Sequence, residues 1–262
     1  EFVIPKGLFE LAFDGNEMSE PIDFSSRKNQ FQAVIPVAMS YGRQINVPLF
    51  NNFAQRTYFG VSAKYLKGLA YFESAFNTLS ITPSQDTITV QADMKTIYSL
   101  AGASMEVDPE KSFSYSFNTD EINNTPPGSG YAFDLGLIVD INDQLTSSIA
   151  ITNLLGKIKW RDGTAYEHRL NMNSQIPMDS LQSKTFSPDS SLSAGIEIDT
   201  NITISSFQTK YPGALTLGAE YSLKEIKLAS NLKFGFSNEL GASTTPRLSL
   251  GVEYSPLKLK WL

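Results

Sequence analysis

The one histidine of this 262-residue chain, His168, and the absence of cysteine leave little room for metal or nucleophile chemistry. A single imidazole cannot assemble a usual zinc site without thiolates or a carboxylate cluster. His168 lies in a polar stretch, where a solvated surface side chain is expected. No Gly-x-Ser-x-Gly elbow, P-loop or dinucleotide-binding glycine pattern is present. Gly128-Ser129-Gly130 reads as a lead into a strand rather than a phosphate cradle. The expectation is a non-enzyme with no cofactor, catalytic residue or metal site.

The carboxylates that stand out are Asp134 and Asp140, on one face of an alternating run. Six strand residues span about 20 Å, too far for a two-carboxylate acid/base pair. A charge on an enclosed sheet face must be paired. Lys64, Lys227, Lys233, Arg247 and Glu253 occupy the polar faces of other runs. With the two aspartates they are the expected lumen-facing set, pairing one another or lining a pore.

The element that must position these groups is Gly128 to Trp160. Tyr131, Phe133, Leu135, Leu137, Val139 and Ile141 share one face. Ala132, Asp134, Gly136, Ile138 and Asp140 share the other, which is a strand period. Asn142-Asp143-Gln144 turns the chain, and Leu145, Ser147, Ile149 and Ile151 return opposite the apolar face. A three-residue loop sets Ile141 opposite Leu145, so apolar meets apolar. The arms are about ten residues long, roughly what a tilted strand needs to cross a bilayer.

The rest follows the same grammar. A helical turn or two is expected near Gly7–Phe13. The first strand is Gln32–Arg43, with Pro36 marking an edge position. Thr57–Tyr71 follows, with a bend or bulge at Gly68. Ala214–Ser222, Ile226–Phe236 and Arg247–Tyr254 also alternate cleanly. Connections at 142–144, 223–225 and 255–256 are short. Those at 72–127 and 161–211 are long, polar, and expected to be extracellular excursions holding small hairpins, one of them Leu192–Ile198 against Ile202–Phe207. Short turns on one rim and long loops on the other are the outer-membrane barrel pattern. Phe76, Phe113, Tyr115 and Tyr166 are the aromatics expected to anchor a partner or an apolar ligand there. Tyr41, Tyr131, Trp160, Tyr221, Tyr254 and Trp261 lie near strand ends, where interfacial girdles form.

Composition agrees with this reading. Charged residues make up 18% of the chain and the net charge is −6, which gives nucleic acid no basic patch to bind. No 18-residue apolar run supplies a transmembrane helix, and a barrel needs none.

Three segments carry a resemblance. They are Gly130-Tyr-Ala-Phe-Asp-Leu-Gly136 with Ile149-Ala-Ile-Thr-Asn-Leu-Leu-Gly156 and Ile158-Lys-Trp160; Asn16 with Ile22-Asp23; and Tyr41-Gly-Arg43 with Phe59 to Gly68. Together they resemble an uncharacterised outer-membrane barrel family of Bacteroidota, similar to FadL-like and PorV-like barrels. The resemblance touches residues 7–71, 128–160 and 212–262. It implies passage of a small hydrophobic solute, or attachment and secretion of surface proteins. It carries no catalytic residues.

The expected fold is therefore all-β: an antiparallel transmembrane β-barrel over residues 1–262, with two long excursions. The absence of an initial Met and the mid-strand end suggest a piece of a longer protein. About eight strands can close a small barrel, but a partial wall of a larger one, with free strand edges, is expected. The expected location is the bacterial outer membrane. The expected partners are the lipid bilayer, other envelope or secreted proteins, and a small apolar ligand. The competing reading is a secreted or periplasmic β-sandwich acting as a binding or structural module, because soluble sandwiches alternate too.

Overall fold

The computed structural model describes residues 6–13, 17–48, 53–100, 103–108, 111–117, 126–181 and 195–255. The described chain is all-β with two short helices. In order it runs α1 (Lys6–Phe13), β1 (Ile22–Asp23), β2 (Ser26–Ile45), β3 (Arg56–Pro83), β4 (Thr87–Leu100), β5 (Ala103–Asp108), β6 (Lys111–Phe117) and β7 (Gly128–Asp140). Then come β8 (Leu145–Trp160), β9 (Ala165–Pro177), α2 (Met178–Leu181), β10 (Ile196–Thr203), β11 (Phe207–Lys210), β12 (Ala214–Leu223), β13 (Ile226–Gly235) and β14 (Arg247–Tyr254).

The main antiparallel sheet has the order β10-β9-β4-β3-β7-β8-β12-β13-β14, with β1 and β2 on β3 and β11 on β8. Among the described residues, β10 pairs only with β9 and β14 only with β13, so the sheet does not close on itself. This matches the free edges expected from sequence. Strand β2 likewise pairs only with β3, and an edge tolerates the missing N–H of Pro36. The chain divides into two compact units.

One unit comprises Ile35–Lys67, Ser129–Ile158 and Gln208–Leu262. Here the alternation of the sequence becomes a segregated sheet. Leu217 sits opposite Ile149 on β8 and Leu232 on β13. Leu228 sits opposite Tyr221 on β12 and Val252 on β14. The central hairpin keeps the expected register, with the Ile141 N–H donating to the Leu145 carbonyl. Asn142 Oδ1 accepts the N–H groups of Gln144 and Leu145, both at 2.8 Å, and closes the turn. The β12–β13 turn is one residue tighter than expected: Leu223 pairs with Ile226, and Lys224 adopts φ 46°. The short turns share one end of this unit. Ser222 N–H donates to Gln144 O, Ser255 N–H to Glu225 O and Gln55 N–H to Asp140 O.

The other unit comprises Glu1–Val34, Gly68–Gly128 and Lys159–Phe207. It corrects the expectation for the long excursions. They are not loops beyond the sheet. Strand β3 runs unbroken through Tyr71 to Pro83, β4 returns along it, and β9 pairs with β4 from Thr87↔Pro177 to Ser99↔Ala165. Sequence reading missed this because a bulge between Phe76 and Thr78 switches the parity of the face, so no single alternation spans β3. Among the described residues, only β5–β6 forms a separate two-stranded hairpin. The expected hairpin of Leu192–Ile198 against Ile202–Phe207 does not form. Ile198 and Ile202 lie on one strand, β10, paired with Asn171 and Glu167 of β9.

One further expectation is corrected in this unit. Trp160 is not an interfacial girdle residue; it is fully buried, with its ring 6.2 Å from Phe207 and 5.6 Å from Tyr71. Gly68 marks a close approach: a Cβ there would lie 2.9 Å from the Trp160 ring and 3.0 Å from Gly128 Cα. Trp261 lies outside the described residues.

Glycine at 130 is required by contact. A Cβ there would sit 1.9 Å from the Lys157 carbonyl oxygen, whereas one at Gly136 meets nothing within 4 Å. Gly130→Ala should therefore destabilise by at least about 1–3 kcal/mol, the usual cost of overpacking. Gly136→Ala should stay within about 0.5 kcal/mol of the parent. Urea unfolding midpoints compare the two, and equal midpoints would refute the contact argument.

Candidate functional site

The charges of the Ile35–Lys67, Ser129–Ile158 and Gln208–Leu262 unit collect on the polar face of its sheet. Lys64 Nζ lies 2.7 Å from Asp134 Oδ2 and donates to Asn153 Oδ1 at 2.8 Å. The other Asp134 oxygen accepts the Asn153 backbone N–H at 2.8 Å. The Asn153 amide also donates to the Pro212 carbonyl at 2.8 Å. All three side chains are part-buried. Asn153 holds a left-handed φ of 54°, which asparagine tolerates better than most residues. This lets Asn153 turn its side-chain amide to Lys64 and Pro212 while its backbone N–H reaches Asp134. Two residues further on, Leu155 repeats the left-handed φ at 56°.

Asp140 is held separately. It pairs with Arg56 at 3.1 Å and accepts the Thr146 hydroxyl at 2.9 Å. Lys227 lies 3.6 Å from Glu220 and directly opposite Glu253 in the β13–β14 register. Lys233 and Arg247 sit opposite each other and line a cleft of about 190 Å³ with Thr152, Asn153, Gly235 and Ser243. The sequence-selected set thus shares one face, although Asp134 takes Lys64 alone of the four expected cations and Asp140 takes Arg56 instead. Asn153 and Arg56 escaped sequence reading. The Thr152-Asn153-Leu-Leu-Gly156 stretch was the available signal. A Cβ on Gly156 would lie 2.8 Å from the Tyr211 carbonyl, which marks the same irregularity of β8.

The opposite face is apolar and open. Val37, Met39, Phe59, Tyr65, Tyr131, Phe133, Leu135, Ile149, Leu217, Tyr221, Leu228, Leu248, Leu250, Val252 and Tyr254 are all exposed. Tyr65 and Tyr131 meet edge to face near one end, and Tyr221 and Tyr254 lie at the short-turn end.

In the Glu1–Val34, Gly68–Gly128 and Lys159–Phe207 unit, the remaining sequence-selected residues lie in strands. Phe76 of β3 faces Met94 of β4 at the bulge. Tyr166 of β9 stacks on Tyr98 with ring centroids 5.2 Å apart. Neither is a loop aromatic, which corrects that expectation. The backbones of Phe113 and Tyr115 belong to β6, and their side chains lie outside the described set. His168, expected on the surface, is buried at 2% exposure between Thr96 of β4 and Asn201 of β10. The polar stretch was a strand covered on that face. Glu167 bonds Lys95 at 2.9 Å and Arg169 at 2.6 Å. Burial raises the Glu167 carboxyl, but hydrogen bonds from Lys95 and Arg169 and their charges more than offset it, leaving it below its ordinary value. Glu73 behaves alike: burial raises it, and the Tyr71 hydroxyl, Lys28 and Gln30 hold it low overall. Among the described residues, no group of three or more histidine or acidic side chains is placed to hold a metal ion.

The chain belongs to a family of unknown function, DUF5723, whose model matches residues 1–261. No curated protein and no solved structure matches it significantly.

Two outcomes test these charge clusters. Lys64→Met and Asp134→Asn should each destabilise, and the double variant should cost less than their sum by about 0.5–3 kcal/mol of coupling. Strict additivity would show that the pair contributes nothing jointly. The lowered Glu167 value gives stability that is complete above the ordinary glutamate value, about 4.3, and lost as pH falls through the folded value. Glu167→Gln should therefore be less stable than the parent at neutral pH, with the gap closing below about pH 4. Denaturant titrations at several pH values measure this; a gap that widens in acid would contradict it.

Proposed function

We propose that this family member is a non-enzymatic outer-membrane β-barrel protein whose segregated sheet forms a stretch of barrel wall. The observation that carries this reading is a single sheet with two opposite faces. One presents exposed Leu, Ile, Val, Phe and Tyr side chains from β2 to β14; the other holds Lys64–Asp134, Arg56–Asp140 and Lys227–Glu220. A soluble sandwich packs its apolar faces against each other. Here the apolar side chains are the exposed ones: Leu250 and Met39 are 78% and 81% accessible. Lipid is the solvent that suits such a face, and a water-filled interior suits the other. The lengths fit: β12 and β13 have 10 residues each, close to the span of a tilted membrane strand. Tyrosines at both ends of the strands suit the two interfaces. Free strand edges do not persist in lipid, so the proposal requires further pairing at β2 and β14.

The expected roles, passage of a small hydrophobic solute or attachment of secreted or surface proteins, remain part of the proposal. The competing reading, a secreted or periplasmic β-sandwich module, requires a partner layer over the apolar face.

Fractionation of cells producing the full-length protein should place it in the detergent-soluble envelope; recovery as a soluble protein would overturn the proposal. Face by face, Leu137→Arg should cost roughly 2–4 kcal/mol if the residue lies near mid-membrane. Ser148→Arg, on the polar face, should cost much less. Folding yield into vesicles, read by protease protection, separates them, and equal losses would remove the lipid assignment.

A further inference from the structure

We infer that the cleft under the loop joining β13 and β14 binds a small free oxyanion of the phosphate class, gripped by Lys233 and Arg247. The argument starts from one ladder read at two places. Six residues apart on β13, Lys227 lies opposite Glu253 and beside Glu220, while Lys233 lies opposite Arg247. Opposite charges across a ladder stabilise it, and like charges directly opposite destabilise it. No salt bridge is recorded for either Lys233 or Arg247 among the described residues, and the other strand facing Lys233 presents Thr216. Asp134, whose oxygen takes the N–H of the cleft residue Asn153, is engaged with Lys64, and Glu239 of the β13–β14 loop with Lys210 at 3.9 Å.

The two cations face a built cleft. Its wall is the loop between β13 and β14, which turns through Leu240 and Gly241 with φ of 53° and 79°. Both the N–H and the hydroxyl of Thr244 donate to Asn238 Oδ1, at 2.7 and 3.0 Å, and fix that loop. Backbone held in a sparsely populated conformation is a frequent mark of a ligand site. Ser243, also on the cleft, accepts the Thr245 N–H on its hydroxyl oxygen, so its own proton remains to donate. A fork of guanidinium donors, an ammonium and a hydroxyl in a cleft of about 190 Å³ match a tetrahedral oxyanion. The cleft opens on the polar face, so the anion comes from solution rather than from a lipid headgroup. That choice of source rests on the barrel reading; the cleft itself does not.

The test uses the full chain, purified in detergent and free of phosphate. Inorganic phosphate is titrated calorimetrically, with chloride as control and vesicles of phosphatidylglycerol as the lipid arm. Phosphate should bind at one site, and K233Q or R247Q should weaken it at least tenfold, while K227Q leaves it unchanged. Without phosphate, K233Q and R247Q should melt at or above the parent temperature, because each relieves a like-charge contact. K233E should melt higher still and bind no phosphate. Lower melting of K233Q and R247Q without phosphate would show a structural pair and overturn the inference. Undiminished phosphate binding in both, or binding to the vesicles alone, would overturn it as well. If the protein fractionates as soluble yet binds phosphate through these residues, the inference stands and the barrel reading falls.

Discussion

A buried charge in a thin sheet has to find its opposite within the sheet, and the contact of Lys64, Asp134 and Asn153 meets that requirement for three strands at once. Lys64 belongs to β3, Asp134 to β7 and Asn153 to β8. The Asn153 amide then reaches the Pro212 carbonyl, at the entry to β12. Partial burial raises the value of each bond and the cost of losing one partner. The left-handed backbone at Asn153 is the local cost of this arrangement. The next strand, β12, is then held against β8 from Ala214↔Thr152 to Tyr221↔Leu145.

Register carries the rest of that unit. A slip of one residue between β12 and β13 would put Leu217 and Leu232 on opposite faces and Lys233 among apolar side chains. The sheet therefore has one arrangement in which apolar and charged groups separate, and it adopts that arrangement across every recorded pairing from β8 to β14. The Lys233–Arg247 opposition is the one place on these ladders where segregation by face leaves like charges side by side. The other unit is stabilised differently. One face of β4 and β9, carrying Ala92, Thr96, Tyr98, His168, Ser174 and Ile176, is buried or half-buried, the other exposes Gln91, Arg169, Asn173 and Gln175, and Glu167 is enclosed between Lys95 and Arg169. The aromatic cluster of Tyr71, Trp160 and Phe207 packs where Gly68 and Gly128 leave room. One unit is a sheet with an open apolar face; the other encloses one face of β4 and β9 and an aromatic cluster.

This contrast bears on where function resides. The long segments between the clean strands pair with one another through β4 and β9, so Phe76 and Tyr166 are part of a scaffold rather than loop anchors. Tyr166 is engaged by Tyr98, and His168 is enclosed. The groups with unspent charge are on the polar face of the segregated sheet instead.

The sequence by itself determined the all-β class, the central hairpin and its register, the shared rim of the short turns and the two faces of β7, β8, β12, β13 and β14. These follow from period-two alternation next to turn residues, a local signal that needs no knowledge of neighbours. It also placed Asp134 and Lys64 on one face. Tertiary structure decided what depends on pairing between distant segments. A bulge at Phe76/Thr78 erased the alternation of β3, so its second half read as loop. Polar strands β9 and β10 buried His168 because β4 lay beside them, a fact no local pattern carries. The choice of Arg56 for Asp140, the gathering of Asn153 with Lys64, and the opposition of Lys233 to Arg247 were likewise decided by register, because which side chains face each other across a ladder is a property of the pair and not of either strand.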